Sequence, residues 1–435
     1  MADLQHFGYF FSRGFGPQAW GRADWDWGHD WTKPDLYQQS VRALEQAGMD
    51  LVIAEDAISL GNPSTLDLRI RQAYGGPKHD PLLLAPYLFA ATSHIGIAPT
   101  VNAGMTPPYL AARQFATLAH LSSGRLGINV VTDTGSARHA GLAPLPHDRA
   151  YDRAEEWIGL LRRLWRSWGD TGYVGDPSDW HFADGDALDA FHHEGEHFTV
   201  DGPLNALPLD SDPVVVSPGG SGRGLAFAGT HSDVQLALAP LSASAVRDYR
   251  ARVVAAAEEA GRSAADLRVL FVLKPEVVAS AEEADRIVSA SRHPSDADLR
   301  AAAVAWSSDS ETDLLALDLD APIPAGTFGD QVSAGTIRGL VGDTPDAPLR
   351  TLLERKARKG RVSTREGFVG TADELADFVE ELGADADNDG IIFSGDLHPA
   401  QVYRMFGDLV PVLRRRGLLR REYGAGGIRA NLFDF

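Results

Sequence analysis

Residues 94–131, HIGIAPTVNAGMTPPYLAARQFATLAHLSSGRLGINVV, contain one complete strand–helix–strand unit. The run His94 to Thr100 is short and apolar, and it ends in the small and polar residues Val101 to Gly104. Pro107 and Pro108 pre-set the backbone for a first helical turn, and Pro108 to His120 carries apolar residues at helical spacing. Ser122, Ser123 and Gly124 then turn the chain into a second apolar run, Leu126 to Val131. Two strands joined through a helix lie parallel, because a parallel pair needs a long crossover where an antiparallel pair needs only a hairpin.

The same alternation extends in both directions. Strand candidates are Phe7 to Phe11, Asp50 to Ala54, Pro213 to Ser217, Asp233 to Ala239, Leu267 to Val278 and Gly390 to Ser394, which with the two above make eight. Amphipathic segments follow several of them: Asp35 to Ala47, Tyr151 to Ser167, Ala243 to Ala260 and Ala372 to Leu382. Eight parallel strands close most economically into an α/β fold of the (β/α)8 TIM-barrel type, whereas open doubly wound sheets usually hold fewer. We therefore expect one barrel domain over 1–435, with insertions near 169–212 and 290–364 placed over the C-terminal face. Neither insertion shows a regular strand–helix signal, and the second, with DLDAPIPAGTFGD, reads as a lid loop.

Composition narrows the function classes. The formal charge is −20, from 40 Lys and Arg against 60 Asp and Glu, which disfavours nucleic acid and anionic membranes as partners because both require clustered cations. No cysteine is present, so thiolate metal sites, disulfides and cysteine nucleophiles are excluded. The start MADLQHFGYFFSRGFG lacks the basic and apolar order of an export signal, and the longest apolar stretch, Leu82 to Ala91, is broken by Pro86 and too short to span a bilayer. A cytoplasmic enzyme that borrows redox chemistry from a cofactor is the expectation. The aromatics Phe7, Tyr9, Phe10, Phe11, Trp20, Trp25, Trp27 and Trp31 could wall an apolar pocket, although such residues are more often core.

Strand ends locate the chemistry, since barrel enzymes build their sites at the C-terminal ends of the strands. VIAEDA puts Glu55 and Asp56 there, as acid–base groups, cofactor contacts or simple rim charges. Asn102 closes the third strand candidate, and Asn129, Thr132 and Asp133 come at or just after the fourth. In PLPHDRAYDRAEEW, His147 and Tyr151 are four apart and share a helical face, either around a ligand or as an ordinary helix start. SPGGSGRG, after the fifth strand, has phosphate-loop composition: Gly219, Gly220, Ser221, Gly222 and Gly224 let backbone amides approach an anion at a helix N-terminus. His193 to His197 matches the zinc signature H-x-x-E-H, but Gly195 and the following FTVDGP argue against the helix this signature needs, so no metal is expected.

Taken together, PPYLAARQFATLAHLSSGRLGINVVT, HDRAYDRAEEWIGLLRRLWRSW, HEGEHFTVDGPLN, SPGGSGRG and VPVLRRRGLLRREYGAGGIRANL resemble the nitrilotriacetate monooxygenase, dibenzothiophene-sulfone monooxygenase and pristinamycin synthase family, a branch of the bacterial-luciferase-like flavin enzymes. The resemblance covers nearly the whole chain. It implies a monooxygenase that takes reduced FMN from a separate NAD(P)H-dependent flavin reductase, activates O2 as a flavin peroxide and oxidises a small organic, aromatic or heterocyclic substrate. It further implies flavin contacts at Asp56, Asn102, His147 and Tyr151, with Tyr151, Gly220 and Ser221 nearest the phosphate, proton handling by His147, and a homodimer or tetramer. The chain departs from the family at Asn102-Ala103-Gly104, where a serine or threonine run is usual, and at Asp133, where a serine is usual. Asp133 therefore becomes a second catalytic candidate. Open alternatives are a deazaflavin (F420)-dependent oxidoreductase, a metal-dependent barrel hydrolase and a non-catalytic flavin-binding protein.

Overall fold

The computed structural model describes residues 4–11, 30–170, 172–329, 332, 334–395 and 399–434. Eight strands close into a barrel: β1 (His6–Phe11), β2 (Leu51–Ala54), β3 (Gly96–Asn102), β4 (Gly127–Val131), β5 (Val214–Ser217), β6 (Val234–Ala237), β7 (Arg268–Leu273) and β8 (Gly390–Gly395). Consecutive strands pair in parallel, and β8 returns to β1 with His6 opposite Gly390 and Phe11 opposite Gly395. The (β/α)8 architecture is thus as the alternation predicts.

Strand periodicity divides the side chains into two layers. Leu51, Ile53, Ala98, Val214, Val216, Val234, Leu236, Leu270 and Ile392 fill the lumen, while Phe7, Tyr9, Phe11, Val52, Ile97 and Ile128 point outward under the helices. The outer layer includes α1 (Asp35–Ala47), α2 (Leu66–Arg71), α3 (Pro81–Ala90), α4 (Pro108–Leu121), α5 (His147–Trp165), α6 (Gly222–His231) and α7 (Ala243–Glu259). Among the first-strand aromatics only Phe10 packs with the lumen cluster; Trp20, Trp25 and Trp27 lie outside the described residues.

Two expectations change. The candidate strand Leu267 to Val278 is two strands, because Pro275 carries no amide hydrogen for a continuing ladder. β7 stops at Leu273, and Glu276–Val278 pairs instead with Val369–Thr371 beside the barrel. The segment 290–364 is not an irregular loop: it folds into the end of α8 (Ala281–Ala290), α9 (Asp296–Ser310), α10 (Ala334–Val341) and α11 (Leu349–Ala357), with a small core of Ala303, Leu314, Leu340, Leu349 and Leu353. After it, α12 (Ala372–Ala386) leads into β8. The insertion meets the loop after β2, where Ser64 Oγ donates to the Glu311 carbonyl at 3.0 Å.

The other insertion, after α5, makes two antiparallel hairpins, Tyr173–Asp176 with His181–Ala183 and His192–Glu194 with Thr199–Asp201. Its turn at His197 and Phe198 reaches the strand-end rim: a Cβ at Gly104, just past β3, would lie 3.1 Å from the Phe198 ring. Among the described residues no helix is long and apolar enough to cross a membrane.

Candidate active site at the strand ends

Above the apolar lumen the third and fourth strands carry a polar tier. Thr100 faces Asn129 in the β3–β4 register, and Asn129 Nδ2 donates to Thr100 Oγ1 at 2.8 Å with both side chains buried. One step higher, Asn102 Nδ2 donates to the Asp133 carbonyl at 2.7 Å. The carbonyl oxygens of both asparagines are buried and accept no hydrogen bond from the described residues. Buried amides are normally satisfied, so these two acceptors fit a ligand carrying N–H groups, as an isoalloxazine ring does.

Asp133 does not present a free carboxylate. Its Oδ1 accepts from the Gly135 amide at 2.8 Å, and its Oδ2 takes a short hydrogen bond from Ser136 Oγ. The residues Asp133-Thr134-Gly135-Ser136 thereby form an Asx-type turn that fixes the loop after β4.

A second half-site lies where α5 and α6 begin. Ser221 caps α6, its Oγ accepting from the Gly224 amide at 3.0 Å, and His147 Nε2 approaches the same oxygen at 3.4 Å. The other ring nitrogen of His147 pairs with Asp148 at 2.7 Å, and the ring meets Tyr151 edge to face at 5.2 Å between centroids. Tyr151 is buried, and its hydroxyl sits between two glycines. A Cβ at Gly219 would come within 2.7 Å of it and one at Gly224 within 2.9 Å. Glycine is required here by close approach rather than by flexibility. Arg223, the cation of this loop, is committed to Glu155 and Asp152 at 2.7 Å each. The cradle therefore offers amides and hydroxyls, the donor set of a phosphate-binding helix start.

A cavity of about 230 Å³ lies between the end of β4 and the glycine loop, lined on one side by Val131, Thr132 and Asp133 and on the other by Tyr151, Ser217 and Gly219. Asp133, Tyr151 and the glycine loop thus line one cavity; Asn102 is tied to it through the Asp133 carbonyl, Ser221 through Gly224 and His147 through Tyr151. Larger cavities exist: one borders the glycine loop at Pro218, Gly220 and Tyr249, while the one between α8, Lys356 to Gly360 and Arg404 and the one around Arg414 to Arg421 lie away from this polar tier.

Asp56 forms a third group. Burial pushes its carboxyl up to about 6, partly offset by the Lys78 ammonium and reinforced by Asp80 and Glu55. The Lys78 side chain is itself buried and pairs with Glu55 at 3.0 Å, and among the described residues Asp56 has no ion pair of its own. The sequence reading marked Glu55 and Asp56 by position but missed Lys78, which arrives from the loop before α3. It also missed Thr100, whose partnership with Asn129 follows from strand register alone. The two histidines of the zinc signature lie on a β-hairpin: His193 Nε2 pairs with Glu156 at 3.0 Å, and Glu156 also accepts from the amides of His197 and Phe198. Glu196 of the same signature pairs with Arg149. Among the described residues no three His, Asp or Glu side chains are grouped to hold a metal.

The luciferase-like monooxygenase family matches residues 15–384. A dibenzothiophene-sulfone monooxygenase of Rhodococcus erythropolis is 30% identical over 98% of this chain and 96% of its own, and nitrilotriacetate monooxygenase component A of Aminobacter aminovorans is 28% identical over 93% and 90%. A long-chain alkane monooxygenase has the same fold, with a TM-score of 0.82 at 23% identity over 100% of this chain and 96% of that one. The chain belongs to the luciferase-like monooxygenases and is a flavin-dependent monooxygenase.

Proposed function

We propose that this chain is the oxygenase component of a two-component system, taking reduced FMN from a separate NAD(P)H-dependent flavin reductase and inserting oxygen from O2 into a small aromatic or heterocyclic substrate. The observation that carries this reading is a shared cavity: Tyr151, Gly219 and Gly224 of the cradle line it together with Thr132 and Asp133 of the β4 rim, and Asn102 bonds the Asp133 carbonyl. The cradle suits a phosphate at one end of a ligand, and the orphaned amide carbonyls of Asn102 and Asn129 suit ring N–H groups at the other. Reduced flavin would supply the electrons that O2 requires. The chain's own part is to orient the ring, exclude water and exchange protons at Asp56 and His147. We include in the reading a single barrel domain whose insertions border the mouth, and assembly as a homodimer or tetramer.

The test measures equilibrium binding of FMN and riboflavin, then substrate turnover under isotopically labelled O2 with an added flavin reductase. The wild-type chain should favour FMN, Ser221→Ala should cut that preference by about tenfold, in line with one lost hydrogen bond to a charged group, and label should appear in the product. Equal affinity for the two flavins would remove the phosphate cradle. Binding of a deazaflavin but not FMN would replace the monooxygenase reading with hydride transfer.

A further inference from the structure

Gln235 is a polar residue in an apolar layer. It lies on β6 between Val234 and Leu236, whose side chains fill the lumen, and so points outward under the helices, where it is almost completely buried. A buried amide without partners would be costly, and here the partners are specific. Gln235 Nε2 donates to the Gly219 carbonyl at 2.8 Å and to the Tyr249 hydroxyl at 3.1 Å. Its Oε1 accepts from Ser217 Oγ at 3.0 Å, and Ser217 is in turn 2.8 Å from Ser232 Oγ. The amide cannot be turned the other way round, because the Gly219 carbonyl can only accept.

The consequence lies in one peptide plane. The carbonyl of Gly219 and the amide of Gly220 belong to the same planar unit and point in opposite directions. Between two glycines this plane has no Cβ on either side to resist rotation. With its carbonyl held inward by Gln235, the plane must aim the Gly220 amide away from β6, toward the open side of the loop.

We propose that Gln235 is the positioning residue of the glycine loop: by pinning the Gly219 carbonyl it fixes the Gly220 amide as an anion donor and so sets how strongly the chain holds the phosphate of its flavin. This inference rests on the flavin reading above. It touches no reacting atom, and its effect is confined to the phosphate end.

The experiment compares FMN with riboflavin, which differ only in the phosphate, by fluorescence titration of the full chain. Gln235→Met keeps the volume and removes the pin. We expect it to lower the ratio of FMN to riboflavin affinity by about tenfold, the size of one buried hydrogen bond and its lost alignment, while riboflavin affinity stays as in the wild type. Ser232→Ala, which trims the far end of the same network and leaves the pin, should keep the wild-type ratio. Should Gln235→Met not fold, Ser217→Ala, which removes the hydroxyl orienting the Gln235 amide, carries the same expectation at smaller size. A ratio unchanged in a folded Gln235→Met or Ser217→Ala protein overturns the proposal, as does an equal weakening of both flavins, which would mean a general structural role. A wild-type chain that does not distinguish FMN from riboflavin overturns the underlying phosphate reading instead.

Discussion

At the scale of single residues, charge partners decide roles that position only suggests. Asp56 and Glu55 are neighbours at the end of β2, yet Lys78 pairs with Glu55, and Asp56 is left with a carboxyl raised to about 6 by burial. A carboxyl whose folded pKa is raised binds its proton more tightly in the native state, so it stabilises the fold at low pH and that contribution is lost as pH rises from about 4 to about 6. Asp56→Asn should therefore gain stability above pH 6, about 1 kcal/mol once the solvent that still reaches the group is discounted, and show no gain at pH 4. Urea unfolding at the two pH values checks this; an equal effect at both would mean that Asp56 is not titrating in that window. Asp133 is the converse. Its place where the family usually carries a serine made it a catalytic candidate, but the sequence Asp-Thr-Gly-Ser is also a turn signal, and the structure places its carboxylate on Gly135 and Ser136. Asp133→Asn is expected to retain turnover and to cost less than about 1 kcal/mol of stability. Loss of turnover in a protein of unchanged stability would restore its catalytic candidacy.

Elements show where a sequence speaks plainly and where it does not. The barrel strands and α4, α5 and α7 were legible because short apolar runs and helices with apolar residues at 3.6-residue spacing have distinct periods. The helices of 290–364 were not, since α9 reads DADLRAAAVAWSSDS, with small alanines where larger apolar residues would mark a face. Its capping box of Ser295 with Asp298 was the available signal, as Thr371 with Glu374 is for α12. Between α5 and α6 a half-buried pair bears on acid stability. His231, the last residue of α6, takes a hydrogen bond on Nδ1 from Arg162 at 2.9 Å, and a second Arg162 nitrogen donates to the His231 carbonyl at 3.0 Å. Burial and the adjacent guanidinium push the imidazole down to about 4. A histidine depressed in the folded state contributes stability that is whole above pH 6.5 and is lost as pH falls toward 4, here about 3 kcal/mol. His231→Gln keeps an acceptor and cannot titrate, so its stability should be nearly flat over that window while the wild type declines. Parallel slopes for the two proteins would rule the pair out as the acid-sensitive element.

Over the whole molecule, the same device recurs at the start of three barrel strands. Asp50, Asp233 and Asp389 each precede a strand, and each accepts the amide of a residue on the neighbouring strand: Phe7, Val215 and Val269. Each is then neutralised by an arginine from outside the barrel, Arg420, Arg429 and Arg250 respectively. Asp50 and Asp233 were legible as strand starts in DLVIA and DVQLA, but their arginine partners were not, because Arg420 and Arg429 come from the C-terminal segment nearly 200 residues or more away in sequence. That segment also closes the barrel floor. Ile428 and Leu432 of the last helix, Ile428–Phe433, pack into the lumen cluster, and Gly96 leaves the space, since a Cβ there would fall 2.2 Å from Ile428 Cδ1. The arginines should therefore differ in weight according to depth. Arg420 and Asp50 are both buried and 2.6 Å apart, whereas the Arg429 side chain is 39% exposed. Removing one partner of a buried pair leaves an uncompensated charge, and Arg420→Met should cost about 3–5 kcal/mol. Arg429→Met, where water can reach the remaining carboxylate from one side, should cost about 1 kcal/mol. Replacing Asp50 together with Arg420 by Asn and Met should recover part of the larger loss, because the stranded charge disappears with its partner. Equal costs for the two arginine variants, or no recovery in the double variant, would mean that the tail holds the barrel by its apolar plug alone.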